Sequence, residues 1–285
     1  MVKGVAACSR GDSALFDAVR VEELLCRPEE QQLRFRRELE KLFRGAFPRM
    51  PEAELRDWVE DYFRTPSGDT HRYALLLANE QDQLVATTLF DQVRLEYGGR
   101  LLQGIYIIDR AVSPECRDLG LGRKMAAEIL TRFHPDVLMT TCTQSASLHS
   151  WISAVRRTRS AELEVFPCRE NQIPRPFPIE NFDFAVSAFR QLYRGVANEE
   201  QQGVDRAAAG LSGFLVRKGV YAERYDSHPW EKAGKKDLLA EALGAGPGDG
   251  ILLVILRKGL RASFRTQEER PGRHSRGAHA RQLKD

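Results

Sequence analysis

The stretch SPECRDLGLGRKMAA, Ser113 to Ala127, places two glycines and three cations where the apolar run Leu101 to Val112 gives way to a helical pattern. A helix N-terminus has unpaired backbone N–H groups and a partial positive charge, so it binds phosphate oxygens without needing a particular side chain. Gly120 and Gly122 remove the Cβ atoms that would keep a pyrophosphate off that backbone, and Arg117, Arg123 and Lys124 add mobile positive charge around it. The same residues can also be read as an ordinary tight turn. Two nucleotide folds are excluded by spacing and context. The G-x-x-x-x-G-K-S/T loop fails because Met125 follows Lys124, and the third glycine of G-x-G-x-x-G is missing. A dinucleotide fold also opens with a parallel βαβ unit, whereas the strands before this turn read as hairpin-linked.

The elements around the turn follow from periodicity. Leu33, Phe35, Leu39, Leu42 and Phe43 recur at helical spacing over Pro28 to Phe43, and a second helix spans Pro51 to Phe63, stopped by Thr65-Pro-Ser-Gly. The period then changes. Tyr73 to Ala78, Leu84 to Phe90 continued by Val93 to Tyr97, and Leu101 to Val112 read as three strands of an antiparallel meander, turned by Asn79 to Gln83 and by Gly98-Gly99. The glycine turn opens a helix to about Phe133, which His134-Pro135 stops. A buried strand, Asp136 to Cys142, and a helix, Ser145 to Arg157, follow. Leu163 to Phe166 reads as a strand, Cys168 to Pro178 as a loop, Phe184 to Tyr193 as helical and Ile251 to Leu256 as a strongly apolar strand. The middle of the chain is an α/β unit joined to a meander.

The chain has 285 residues, 42% hydrophobic and 29% charged, ordinary for a globular protein with a real core. No apolar run approaches the ~20 residues of a bilayer span, and a soluble cytoplasmic protein is expected. Five scattered cysteines without C-x-x-C pairs read as free thiols, and no cluster supports a metal site. Residues 257 to 285 hold nine Arg or Lys against three acids, giving that segment +6 in a chain of net +3. With Phe264 the single Phe, Tyr or Trp among these cations for base stacking, a solvated tail is favoured over an arm for nucleic acid or an acidic surface.

Arg117-Asp-Leu-Gly-Leu-Gly122, after a strand ending Val112-Ser-Pro114, matches the Q/R-x-x-G-x-G/A signature and so resembles the GNAT (Gcn5-related) N-acetyltransferase superfamily. The order of elements from Pro28 to Arg157 resembles most of that family's core. Gln144 to Trp151 is similar to its N-x-x-A-x-x-x-Y segment but departs at all three marked positions, with Gln144, Ser147 and Trp151 for Asn, Ala and Tyr. The resemblance implies a mixed α/β (α+β) fold with a mostly antiparallel, splayed sheet flanked by helices. In it, backbone at Ala111 and Val112 would bind the pantetheine arm of an acyl-CoA in the manner of an added strand. The turn Arg117, Asp118, Leu119, Gly120, Leu121, Gly122, Arg123 would hold the pyrophosphate, with Gln144 and Ser147 beside the donor. Ile251 to Leu256 resembles the family's last strand. The implied organisation is a weakly patterned segment over 1–27, a core over 28–167, an insertion or subdomain over 168–250, a final strand over 251–257 and a basic tail over 258–285.

The family's usual pair of catalytic groups is missing. Its glutamate position is Tyr106, and its tyrosine position is Trp151, which cannot donate a proton to a thiolate. Asp109 is the nearest carboxylate on the signature strand and the favoured base, with an ion pair to Arg110 or Arg123 as its structural alternative. Tyr106 and Asp109 face opposite sides of a regular strand, so both reach one slot only if a bulge intervenes. His149 and Ser150 beside Trp151 could replace the acid, with a plain surface residue as the alternative for His149, and Cys142 could be a nucleophile or plain core. Trp58, Tyr62, Phe63, Phe177 and Phe182 could line an acceptor pocket or pack a core.

The function expected is an N-acyltransferase, most simply an acetyltransferase, moving an acyl group from acetyl-CoA or another acyl-CoA co-substrate to a small-molecule or peptide amine. Two alternatives stay open. One is a long-chain acyl-CoA or acyl carrier protein dependent synthase of the N-acyl amino acid or homoserine lactone type. The other is a non-catalytic acyl-CoA-binding regulatory module. A homodimer is compatible with the family, and no transmembrane segment is expected.

Overall fold

The computed structural model describes residues 16–66, 68–158, 162–170, 173–175, 188–192, 211–212, 215–217, 230–232, 235–246 and 249–260. Strand β1 (Asp17–Arg20) and helix α1 (Val21–Leu25) lead into α2 (Glu29–Ala46) and α3 (Glu52–Asp61). Pro28 and Pro51 occupy the N-cap positions of α2 and α3, and Glu29, Glu30, Glu52 and Glu54 place negative charge at the positive ends of their dipoles. The meander is β2 (His71–Ala78), β3 (Leu84–Tyr97) and β4 (Arg100–Val112). Its first turn is fixed by Asn79, whose Oδ1 accepts from the amides of Gln81 and Gln83 at 3.1 and 2.9 Å.

Beyond β4 come α4 (Leu121–Phe133), β5 (Val137–Cys142), α5 (Ser145–Arg157) and β6 (Leu163–Phe166). The chain continues through β7 (Cys168–Glu170), β8 (Ile173–Arg175), a helical stretch at 188–192, β9 (Leu211–Ser212), β10 (Leu215–Arg217), β11 (Glu231–Lys232), β12 (Lys235–Lys236), α6 (Leu238–Ala242) and β13 (Asp249–Arg257). The strands form a nine-stranded sheet in the order β1-β2-β3-β4-β5-β13-β10-β9, with β6 also pairing β13. All of its pairings are antiparallel except β4 with β5.

Two expectations are corrected here. The weakly patterned first segment contributes β1, whose four residues pair with Tyr73 to Leu76 at the sheet edge. Four residues carry too short a pattern to stand out from flanking polar sequence. The proline-rich loop after Phe166 contains a small hairpin in which Cys168, Arg169 and Glu170 face Arg175, Pro174 and Ile173. Pro174 is tolerated because a two-stranded ribbon leaves outward positions unpaired. The basic tail beyond residue 260, Phe177 and Phe182 lie outside the described residues.

Alternation along the strands splits the core in two. Ala74, Leu76, Leu89 and Ala111 pack against Leu39, Leu42 and Phe43 of α2 and Leu55, Val59 and Tyr62 on and just after α3. Leu75, Leu77, Phe90, Ile107 and Leu138 meet Met125 and Ile129 of α4 and Leu148, Trp151 and Ile152 of α5. An ion pair anchors the α3 side. Arg72 Nε and Nη2 bond Asp91 Oδ1 and Oδ2 at 2.7 and 2.9 Å, with side-chain exposures of 1% and 0%. Arg72 Nη1 also reaches the carbonyls of Asp61 and Arg64, each at 3.3 Å, and so ties the end of α3 to the sheet.

Removing one partner of such a pair strands a buried charge. Arg72→Met is expected to lower unfolding free energy by about 3–5 kcal/mol in urea titrations, and Arg72→Met/Asp91→Leu to recover most of it.

Candidate active site

The site begins where a ladder stops. Strand β4 pairs with β5 only from Gly104 to Ile107, opposite Val137 to Thr140. Beyond that point β4 continues to Val112 beside β3 alone, while β5 continues to Cys142 beside β13. The outer edge of β4 from residue 108 to 112 is therefore open, and a cleft of about 940 Å³ occupies the gap. Its walls come from the end of β4, the glycine turn, the first turns of α5, and Ala46, Phe47 and Trp58 from the α2–α3 side.

A bulge re-aims β4 at the fork. Leu89 pairs with Asp109 but Phe90 pairs with Ile107, leaving Ile108 as the extra residue. Asp109 and Tyr106 are thus opposite Leu89 and Asp91, two residues apart on β3, and share one face. Both line the cleft. Tyr106 is 5% exposed, with its ring against Phe189 and its hydroxyl 3.4 Å from Thr141 Oγ1.

Asp109 is 7% exposed. Tyr62, fully buried just after α3, donates its hydroxyl to Asp109 Oδ1 at 2.7 Å and lies 3.1 Å from Thr87 Oγ1. Neither Arg110 nor Arg123 pairs with Asp109. Burial pushes the Asp109 carboxyl up to about 7; the Tyr62 hydrogen bond and the Leu89 amide work against that rise, and Asp61 adds to it. A carboxylate that takes up a proton near neutrality, held on a cleft wall, can act as a general base.

The glycine turn is built from left-handed residues. A single 3₁₀ turn, Pro114–Cys116, precedes it; Asp118 has φ 61° and Gly120 φ 74°, and α4 starts at Leu121. Among the described backbone no partner engages the amides of Asp118, Leu119 and Gly120. Those of Leu121, Gly122 and Arg123 belong to the first helical turn, where no intrahelical acceptor exists. Six neighbouring donors at a helix start make an anion-binding concavity. Arg123 folds over it, so that a Cβ at Gly120 would lie 2.8 Å from its Nη2. Arg117 is used differently from the expectation. Its amide bonds Pro114 O at 3.2 Å, and its Nη2 bonds Ala46 O at 3.0 Å, capping the negative end of α2.

On α5, Gln144 is the N-cap, and both Gln144 and Ser147 line the cleft. Arg110 crosses from β4 to this helix. Its Nη1 donates to Gly122 O at 3.0 Å, its Nη2 to Ser147 O and Oγ at 3.2 and 2.8 Å, and its guanidinium carbon lies 5.4 Å from the centre of the Trp151 ring. Cys142 has 0% exposure, and burial pushes its thiol up to about 11 despite nearby Arg110 and Ser147, so it is core rather than nucleophile.

His149 lines the cleft with its side chain 52% exposed and its Nε2 2.6 Å from Asp237 Oδ2. Asp237, 6% exposed, also receives Ser145 Oγ and, at Oδ1, the amides of Leu239 and Ala240 at the start of α6. Burial works against its charge, but the bonds from His149, Ser145 and Ala240 outweigh it and hold its carboxyl well below the usual range.

The parted sheet, the open edge of β4 and the unengaged amide turn place the molecule in the class of acetyltransferase-like α/β folds. Residues 33–150 match the family model described as Acetyltransferase (GNAT) family. The solved structure of Tetrahymena Gcn5 is 12% identical, with a TM-score of 0.34 over 59% of this chain and 85% of that one. A Bacillus subtilis acetyltransferase in complex with CoA is 11% identical, TM-score 0.33, over 78% of this chain and 91% of that one. Spermidine N-acetyltransferase from Vibrio cholerae, in complex with CoA and spermine, is 13% identical, TM-score 0.29, over 52% and 81%. No match is found among curated proteins.

Asp109 has a consequence for stability. Its folded pKa of about 7 lies above the ordinary 3.8, so between those values the unfolded chain loses the proton first and stability falls as pH rises. Asp109→Asn keeps an acceptor for Tyr62 and removes this penalty. Relative to the parent, it is expected to gain stability from pH 4 to pH 8, by at most about 4 kcal/mol, in thermal melts across that range.

Proposed function

We propose that this protein is an N-acyltransferase that binds an acyl-CoA along the open edge of β4 and transfers its acyl group directly to an amine, with Asp109 as the base. The observation that carries this reading is the layout of one strand. The same five residues, 108–112, run from a buried carboxylate titrating near 7 toward the unengaged amides of the glycine turn.

Each group has a stated task. Ala111 and Val112 offer backbone partners to the amides of a pantetheine arm, as an added strand would. The amides of Asp118 to Arg123, with the Arg123 guanidinium above them, receive the diphosphate. Arg117 serves by fixing the turn to the end of α2, and Gln144 and Ser147 wall the arm on the α5 side. Asp109 takes the proton that the amine loses as its nitrogen bonds to the acyl carbon. Tyr106 shapes the same face. His149, oriented through Nε2 by Asp237, presents its other ring nitrogen as a proton carrier toward the departing sulfur. Acetyl is the simplest acyl group for the site, and the acceptor enters past Trp58 from the α3 side.

Calorimetric titration with acetyl-CoA and CoA, followed by turnover assays on an amine panel, tests the reading; absence of binding by either ligand overturns it. The acid limb of kcat/KM is expected near pH 7, set by Asp109. Asp109→Asn is expected to lower kcat about 10²- to 10⁴-fold. Tyr62→Phe removes a hydrogen bond that favours the carboxylate, so the acid limb should move to higher pH while the plateau above it is largely kept.

A further inference from the structure

We propose that the guanidinium of Arg110 receives the sulfur that leaves during acyl transfer and holds the CoA thiolate by charge until it is protonated, an assignment that rests on the acyltransferase reading above. Loss of the family's tyrosine leaves a place to be filled. Trp151 stands where the family has the acid, 1% exposed, and its indole N–H is far too weakly acidic to protonate a thiolate. The group lying over that ring is Arg110.

Three observations give Arg110 this task. First, it sits on the unpaired part of β4, past the last β4–β5 pair at Ile107 and Thr140, and lines the cleft. Second, the described residues give it no carboxylate partner. Its hydrogen bonds go to Gly122 O, Ser147 O and Ser147 Oγ, all neutral. Those bonds use three of five N–H donors, leaving Nε–H and one Nη1–H for a further partner. Third, the site is partly dry, and desolvation lowers the Arg110 pKa to about 10. Burying a cation among neutral acceptors is unfavourable unless a negative charge arrives, and a neutral amide could bridge the same carbonyls at lower cost. Acyl transfer supplies such a charge transiently, which is the condition for stabilising the transition state more than the ground state.

The step balances without another reagent. The amine nitrogen bonds to the acyl carbon, the C–S bond breaks with its electron pair going to sulfur, and the amine's proton passes to Asp109. The thiolate pairs with Arg110, which keeps its own protons, and then takes one from His149 or water. Among the described residues, the groups recorded against Arg110 are Gly122 of α4, Ser147 and Trp151 of α5, and the Cys142 thiol of β5, and none of them is an acid.

The test measures the thiol of bound CoA by thiolate ultraviolet absorbance in the full-length protein. The parent protein is expected to lower the pH at which bound CoA ionises by about one unit, a tenfold change in acidity, relative to free CoA. Arg110→Gln should abolish that displacement, Arg110→Lys should keep most of it, and desulfo-CoA should bind the parent and Arg110→Gln equally. A folded Arg110→Gln protein that keeps the displacement overturns the proposal. So does one that loses affinity for desulfo-CoA as much as for CoA, which would mark Arg110 as a clamp of the slot. If Arg110→Gln does not fold, Arg110→Lys decides, because it keeps the charge but not the three-way clamp: a lost displacement sinks the assignment. Failure of the parent to bind CoA at all removes the donor reading itself, whereas CoA binding and turnover with an unshifted thiol remove only the role of Arg110.

Discussion

Strands β4 and β5 are held together by four residue pairs, and the positions of the cleft's functional groups depend on that ladder ending where it does. Before it ends, the two strands are a normal buried parallel pair. After it ends, each is committed to its other neighbour, β3 or β13, and cannot swing back without breaking an antiparallel ladder. The gap is thus imposed from outside, which lets a row of unpaired backbone groups persist in a folded protein. The bulge at Ile108 acts at the same point. It shifts the strand by one residue, so that a carboxylate and a phenol on it face one way, and the guanidinium next to them faces the other.

That division gives the cleft two electrostatic halves. On the α3 side lie Asp109, Asp61 and Glu54; on the α4 and α5 side lie Arg110, Arg123 and the positive end of α4. Among the described residues Asp109 pairs with neither Arg110 nor Arg123, because Asp109 and Arg110 lie on opposite faces of β4. The α3 side is also the better dried, since Tyr62 and the Arg72–Asp91 pair fill the space behind Asp109. A carboxyl raised toward neutral pH and a cation-flanked glycine turn can therefore sit within one strand's length without collapsing onto each other.

Much of this was legible in the sequence where it depends on local pattern. The switch from 3.6 to 2 residue periodicity marked α2, α3 and the meander, and the glycine spacing marked the turn that opens α4. Asp109 was legible as the nearest carboxylate on its strand, but its partner was not. Tyr62 read as one aromatic among several, and only the tertiary packing of α3 brings it to Asp109. The bulge at Ile108 left no trace, because one extra residue in a thirteen-residue apolar strand does not alter its composition. Asp237 was beyond reach for another reason. It caps α6, and its meeting with His149 joins residues 88 apart through a region without periodicity. Arg117 was legible as a cation of the turn, although its guanidinium turns to α2.

The place of β13 in the sheet has a kinetic side. Strand β5, one wall of the cleft, ends at Cys142, and the strand that covers its outer edge starts at Asp249, more than a hundred residues further along. Until that late segment arrives, β5 presents a row of unpaired groups on an apolar strand, the kind of edge that recruits the wrong partner. Closing so long a loop is slow relative to forming the meander, since its entropy is lost before the contacts repay it. The wall of the cleft made by β4 and α3 is thus built from near neighbours in the chain, while the outer edge of β5 stays uncovered until the chain returns as β13.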